Sequence, residues 1–241
     1  MEKGYIMVQL QELLNRIPDY FEPDELAYYS AHCKNEQQIR DKIAWHLHKE
    51  ITQNPKYGDK YVVRREWAPE GASKSRVDLA ILEMDENKTR VQKVIALIEF
   101  KAQSIVKCEK WYLDEFSRDV EKMRGFIGKS PCAEAELYFV FLETGQWCKA
   151  DKYKSILGYS IYQNGGVKFR KDSDYLYSVK SHWEKFKELE PEIEIPEPKA
   201  IEIGEAYGYR QFVSPLLIKI PFSVGLNDHS INEDGTNREQ E

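Results

Sequence analysis

The chain has 241 residues, of which 41% are hydrophobic, and this is enough apolar material for a full core. No apolar run approaches the ~20 residues that a membrane helix needs. The opening MEKGYIMVQL also lacks the basic-then-apolar order of a signal peptide. We therefore expect a globular cytoplasmic protein with no membrane partner. The four cysteines show neither a CxxC pair nor zinc-type spacing, which predicts reduced thiols.

The net charge of −6 argues at first against a nucleic-acid partner. The acidity is concentrated, however, in residues 184–205, with a net charge of −5, and in residues 228–241, with a net charge of −4. The rest of the chain is mildly basic. This distribution is compatible with DNA or RNA binding without requiring it.

The first predicted elements are helical. An irregular apolar pattern before residue 30 suggests one short helix and a turn. A stronger helix follows Asn35, which is a capping residue type, with Glu36 in its first turn. Polar and proline residues at 54–58 end this helix. Its apolar face repeats at steps of four: Ile39, Ile43, Leu47 and Ile51.

Three strands are predicted next, at residues 61–67, 76–82 and 94–103. If the last two form an antiparallel hairpin centred near residue 88, Asp78 falls beside positions 97–99. Successive strand residues alternate faces. One predicted face therefore carries Ile95, Leu97, Glu99, Lys101 and Gln103, and the other carries Val94, Ala96, Ile98 and Phe100.

Downstream, apolar residues at helical spacing predict a helix at 111–126 that packs on the sheet, followed by a core strand at 136–144. Shorter strands are predicted at 156–163 and 166–171, and a closing helix at 174–189. These elements define a predicted domain at residues 1–190. Residues 191–227 are predicted as an acidic, proline-containing linker and C-terminal extension. The stretch at 188–203 is interpreted as an extended linker or an edge segment, and 207–222 are expected to return to the body. The predicted disordered tail spans 228–241.

Charged residues at the strand ends suggest a metal site. A hard cation such as Mg²⁺ prefers carboxylate, carbonyl and water oxygens, and Asp78 and Glu99 on neighbouring strands can supply two of them. Lys101, on the same face, could position or deprotonate an attacking water. A metal beside the ammonium would favour the neutral amine.

The motif of Val77-Asp78 followed by Glu99-Phe100-Lys101 resembles that of the PD-(D/E)XK nuclease superfamily. The match covers residues 36 to about 144, in helix–strand–strand–strand–helix–strand order. It is similar to the N-terminal nuclease domain of type I restriction motor subunits. Val77 replaces the nominal proline of the motif, at a position that varies in the superfamily. The resemblance implies an α/β protein with the restriction endonuclease-like fold, an α/β/α sandwich around a central mixed β-sheet.

The resemblance also implies residue roles. Asp78 and Glu99 would bind Mg²⁺, for which Mn²⁺ is expected to substitute, together with the backbone carbonyl of Phe100. Lys101 would be the catalytic lysine and Glu36 an auxiliary acid. Three further residues are candidates for nucleic-acid contacts, although solvated edge positions explain them equally well: Arg76, Gln103 and Lys107.

The predicted function is metal-dependent hydrolysis of phosphodiester bonds in DNA, in restriction or defence, by a possible homodimer. Three alternatives stay open. Asp78, Glu99 and Lys101 could form a structural salt-bridge cluster. The chain could be an inactive nucleic-acid-binding or assembly module of the same fold. It could also be an interaction protein whose acidic C-terminal segment binds a basic partner.

Overall fold

The computed structural model describes residues 2–31, 36–70, 75–104, 109–128, 130–147, 168–169, 172–206 and 209–221. Several predictions fall outside the described residues: the cap at Asn35, the contact residue Lys107, the strand at 156–163 and the tail at 228–241. Of the strand predicted at 166–171, only residues 168–169 are described.

From residue 36 onward the described residues form helices and strands in the predicted alternation. Residues 2–31 instead form two α-helices with a 3-10 turn at Ile17–Tyr20 between them, where a single short helix and a turn were predicted. The helices are α1 (Glu2–Asn15), α2 (Glu25–Ala31), α3 (Glu36–Gln53), α4 (Glu109–Arg124) and α5 (Asp172–Leu189). The strands are β1 (Tyr61–Trp67), β2 (Val77–Met84), β3 (Val91–Ser104), β4 (Glu136–Trp147), β5 (Lys168–Phe169), β6 (Ile201–Ala206) and β7 (Tyr209–Ile220). None of the described helices has the length and apolar character that a membrane crossing requires.

One mixed sheet organises the chain. Its strand order is β1-β2-β3-β4-β7-β6, and β5 pairs with the end of β4. Strands β3 and β4 are parallel, whereas the other neighbours along this path are antiparallel. A parallel pair needs a crossover connection, and α4 lies in the one between β3 and β4. The predicted α/β class and mixed sheet are therefore confirmed.

Helices cover both faces of this sheet. Buried residues of α1, α2 and α3 form one core with β2 and β3, and those of α4 and α5 form a second core on the opposite face. The predicted buried stripe of α3 is confirmed, as is that of α4, where Phe116, Val120 and Met123 are buried. Each helix packs because its apolar residues fall on one side at helical spacing.

The β2–β3 hairpin has the predicted register. Leu79 pairs with Ile98, so Asp78 lies beside Glu99 on the neighbouring strand. The predicted faces near the start of β3 are wrong, because a bulge shifts the register between the pairs Ile81↔Ala96 and Leu82↔Val94. Because of the bulge, Ile95 lies in the same core as Ala96, and Val94 lies in the core on the opposite face. Alternation after the bulge leaves the predicted faces of Glu99 and Lys101 unchanged.

The C-terminal region contributes to the same sheet. β7 pairs with β4 from Leu137↔Ile220 to Trp147↔Arg210, which confirms the predicted return of this segment to the body. Residues 201–206 form the edge strand β6, which favours the edge-segment alternative over a linker at the end of the stretch 188–203. Ile203 and Ala206 are buried there, which gives this segment a reason to pack.

Gly204 on β6 packs closely against Asp24 in the loop before α2, and replacing this glycine tests that contact. Gly204 has φ +107°, and a Cβ at this position would overlap Asp24 Oδ1. The same oxygen accepts a hydrogen bond from the Glu205 N–H at 2.7 Å. We expect Gly204→Ala to lower the free energy of unfolding by about 2 kcal/mol in urea titration. Gly4→Ala, where a Cβ meets nothing within 4 Å, is the control; equal stability of the two variants would contradict this contact.

Candidate metal centre

Two backbone-to-carboxylate hydrogen bonds hold the central acids together. The Asp78 N–H donates to Glu99 Oε1 at 3.2 Å, and the Phe100 N–H donates to Asp78 Oδ2 at 2.8 Å. Each carboxylate thus accepts a bond from the strand that carries the other. The antiparallel register places the two acids side by side, and these bonds fix their orientation.

Helix α3 supplies a cation to Asp78. The buried Arg40 donates from Nη1 to Asp78 Oδ1 at 2.8 Å and also contacts Glu66. Glu66 has a left-handed backbone, with φ +49°, in a strand that otherwise pairs regularly with β2. Such strained residues persist where surrounding contacts hold them, and they concentrate at functional sites.

Helix α4 supplies a cation to Glu99 from the opposite face of the sheet. Lys122 Nζ lies 2.7 Å from Glu99 Oε1 and 3.2 Å from Asp119 Oδ1. The Glu99 side chain is only 3% exposed. Burial and the nearby charge of Asp78 raise the pKa of Glu99 to about 8, although Lys122 lowers it. A further positive charge beside Glu99 would therefore lower its pKa and favour the ionised carboxylate.

Lys101 lies among carboxylates. Its Nζ is 3.1 Å from Asp119 Oδ2 and 3.9 Å from Glu115 Oε2. Burial lowers the pKa of Lys101, but the charges of Glu36, Asp119 and Glu115 raise it further, so the net shift is upward. This shift favours an ammonium that donates hydrogen bonds to a water or phosphate over a neutral amine that removes a proton.

Glu36 completes the group at the start of α3. Its Oε2 accepts a hydrogen bond from the Ala102 N–H on β3 at 3.3 Å. Burial and Asp78 raise the pKa of Glu36, against the opposing charge of Lys101. The structure thus brings together all four residues predicted to be catalytic.

The residues predicted to contact nucleic acid are only partly described by the structure. Arg76 is exposed immediately before β2, two residues from Asp78. Gln103 lies on β3 opposite Glu143, and only its backbone is described.

The donor set fits a hard cation. Asp78 and Glu99 offer carboxylate oxygens, and the Phe100 carbonyl leaves β3 on the same side as its N–H, toward β2. Among the described residues, seven carboxylates lie around Arg40, Lys101 and Lys122, and two further arginines pair with them at the exposed rim: Arg118 with Glu115 and Arg65 with Asp41. These acids are Glu36, Asp41, Glu66, Asp78, Glu99, Glu115 and Asp119. Within the described ranges, no three His, Cys, Asp or Glu side chains are arranged to hold a metal by themselves, so backbone and water oxygens would complete the shell.

Sequence reasoning missed the counter-charges. Glu115, Asp119 and Lys122 recur at steps of four and three on α4, which places them on one helical face. That spacing was a usable signal, since the same face carries the apolar stripe toward the sheet. Arg40 likewise follows Glu36 by four residues on α3, so the two side chains share a face.

A second buried charged pair lies beyond Lys101 on the neighbouring strand. His182 Nδ1 is 2.6 Å from the buried Glu143 Oε1, and the Tyr175 hydroxyl donates to the Glu143 carbonyl at 2.7 Å. Both partners of Glu143 are on α5. The pair therefore fixes α5 against β4 beside the metal centre.

Comparisons with known proteins add no identification: no family model matches the chain, and no curated protein or solved structure matches it either.

As a metal ligand, Glu99 would make the affinity for a cation depend on pH, because its pKa is raised. A cation binds the deprotonated carboxylate, so below pH 8 binding must first release a proton. With one proton and a pKa of about 8, the apparent Mg²⁺ affinity should fall about 25-fold between about pH 8.5 and 6.5. Calorimetric titration in two buffers of different ionisation enthalpy would measure both the affinity and the proton release.

The matched variant is Glu99→Gln, which cannot titrate. Its Mg²⁺ affinity should be lower and almost independent of pH over the same range. Binding by the unmodified chain that is equally strong at both pH values, with no proton released, would contradict the assignment of Glu99 as a ligand.

Proposed function

We propose that this chain is a metal-dependent nuclease with the restriction endonuclease-like fold, which hydrolyses phosphodiester bonds in DNA. Restriction or defence is the proposed setting, and a homodimer is part of the proposal where both strands of a duplex are cut. The site carries this proposal, because fold class alone does not define an activity.

The carrying observation is the pairing of Asp78 with Glu99 by reciprocal hydrogen bonds, with Lys101 two residues further along the same strand. An excess of acid around this pair favours a cation over a closed salt-bridge cluster. Burial and the charge of Asp78 hold the pKa of Glu99 at about 8 even with Lys122 in contact, so a further cation would favour its ionised form.

Bound Mg²⁺ would polarise the scissile phosphate and lower the pKa of a coordinated water. The protein's residues would bind and orient. Asp78, Glu99 and the Phe100 carbonyl would hold the ion, and the Lys101 ammonium would donate a hydrogen bond to the attacking water or the phosphate. Arg40 and Lys122 fix the carboxylates from opposite faces of the sheet. Glu36 would hold Lys101 in its charged form.

A second candidate is an inactive nucleic-acid-binding or assembly module of the same fold. It is favoured by the ion pairs that Arg40 and Lys122 already make with Asp78 and Glu99, since these contacts neutralise part of the site. Such a module would bind DNA but would not cut it.

Cleavage of supercoiled plasmid with Mg²⁺, with and without chelator, separates the two candidates. Lys101→Ala should reduce the cleavage rate at least about 100-fold while it retains Mg²⁺ binding, because the lysine positions groups but does not ligate the ion. Asp78→Asn should lose both Mg²⁺ binding and cleavage, because a neutral amide holds a hard cation poorly.

Lys93→Ala is the matched control. Lys93 lies near the start of the same strand and pairs with the exposed Glu134, so its removal should leave cleavage unchanged. Cleavage that survives the chelator, or a Lys101→Ala variant as fast as the unmodified chain, would refute the proposed mechanism.

A further inference from the structure

A cleft of about 470 Å³ opens between α3 and the edge strand β1, next to the metal centre. Its lining includes Trp45 and His48 from α3, and Val62, Val63, Arg64 and Arg65 from β1. This volume is within the range of small-molecule sites and can take a nucleotide-sized group.

The α3 side of the cleft carries an exposed aromatic ring. Trp45 is 58% exposed, although the other apolar residues of α3 face the core. Its ring centroid lies 6.1 Å from that of His48. His48 Nδ1 is buried in the same region and has no hydrogen-bond partner among the described residues. The wall therefore combines a free indole face with an unsatisfied polar atom.

The β1 side of the cleft carries positive charge. Arg64 and Arg65 are consecutive and exposed, so their side chains leave β1 on opposite faces: Arg65 lies on the α3 side, and Arg64 lies on the other side of this edge strand. A nucleic-acid strand that crosses the edge of the sheet can contact both. Arg65 forms an ion pair with Asp41, whereas Arg64 makes no ion pair within the described part of the chain. Guanidinium groups match phosphate geometry, and an aromatic face stacks on any nucleobase.

A chain of ion pairs links the cleft to the candidate metal centre. Asp41, which pairs with Arg65, also accepts a hydrogen bond from Arg40 Nε at 3.2 Å, and Arg40 contacts Asp78. Across the sheet, Arg65 pairs with Leu79, the residue after Asp78. A nucleic-acid strand with a phosphate at Asp78 can therefore reach the cleft through its adjacent nucleotides.

We propose that the cleft binds an unpaired nucleotide next to the cleaved phosphate, with the base stacked on Trp45 and phosphates on Arg64 and Arg65. This inference rests on the proposed nuclease function and specifies its substrate as DNA with a single-stranded segment. Exposed guanidinium groups beside an indole fit a polyanion with flat bases better than an apolar peptide.

The test is binding of a fluorescently labelled oligothymidine to the full chain, measured by anisotropy with chelator present so that no cleavage occurs. Trp45→Ala should weaken binding about 5- to 100-fold, since stacking contributes ~1–3 kcal/mol per base. Trp45→Phe should retain much of the affinity. Arg64→Ala should weaken binding and reduce its salt dependence.

Tyr177→Ala is the control, because Tyr177 is an aromatic residue on α5 that is 78% exposed and lies away from the cleft. Three outcomes would overturn the inference: unchanged oligothymidine affinity in Trp45→Ala, equal losses in Trp45→Ala and Tyr177→Ala, or displacement of the oligonucleotide by polyglutamate at equal charge concentration. The measurement is independent of turnover. Oligothymidine binding that depends on Trp45, in a chain that with Mg²⁺ cuts neither plasmid nor oligothymidine, would refute the nuclease function and leave the cleft as a nucleic-acid site.

Discussion

The carboxylates of Asp78 and Glu99 lie side by side because each accepts a hydrogen bond from the backbone of the other's strand. This exchange requires the antiparallel register of β2 and β3, and a shift of one residue would carry one acid to the opposite face. The bulge at Ile95 lies before the site, and the side chains around it pack into the cores on both faces of the sheet. The register that positions the acids is therefore set between the bulge and the ends of the strands.

Two neighbouring acids in a buried position repel each other, and the fold compensates them from both sides. Arg40 reaches Asp78 from α3, and Lys122 reaches Glu99 from α4. The compensation is incomplete, because Glu99 keeps a raised pKa. Between the usual pKa of a glutamate and about pH 8, the free energy of unfolding falls as the pH rises, because the unfolded chain releases the Glu99 proton while the folded state retains it. A cation bound to the ionised Glu99 would offset this loss. The burial of Glu99 thus creates the electrostatic cost that the proposed metal ion would offset.

The sequence predicted the residues whose positions follow from strand alternation and hairpin geometry. Asp78, Glu99 and Lys101 were found in this way, and the apolar stripes of α3 and α4 followed from helical spacing. Helical spacing indicates which charged residues of α3 and α4 share a face. It does not give the contacts of Arg40 with Asp78 and of Lys122 with Glu99, because these depend on how two helices pack across opposite faces of the sheet. The pairing of β7 with β4 joins residues about 70 positions apart, a distance over which local patterns carry no register.

The central claim is that Asp78 and Glu99 together hold a hard divalent cation. Anomalous diffraction from crystals of the full chain grown with Mn²⁺ tests it most directly, because the signal locates the ion without reference to activity. The account predicts one strong peak within about 2.5 Å of a carboxylate oxygen of each residue. Saturating Mn²⁺ with no peak there, and with Arg40 and Lys122 still on both carboxylates, would contradict it.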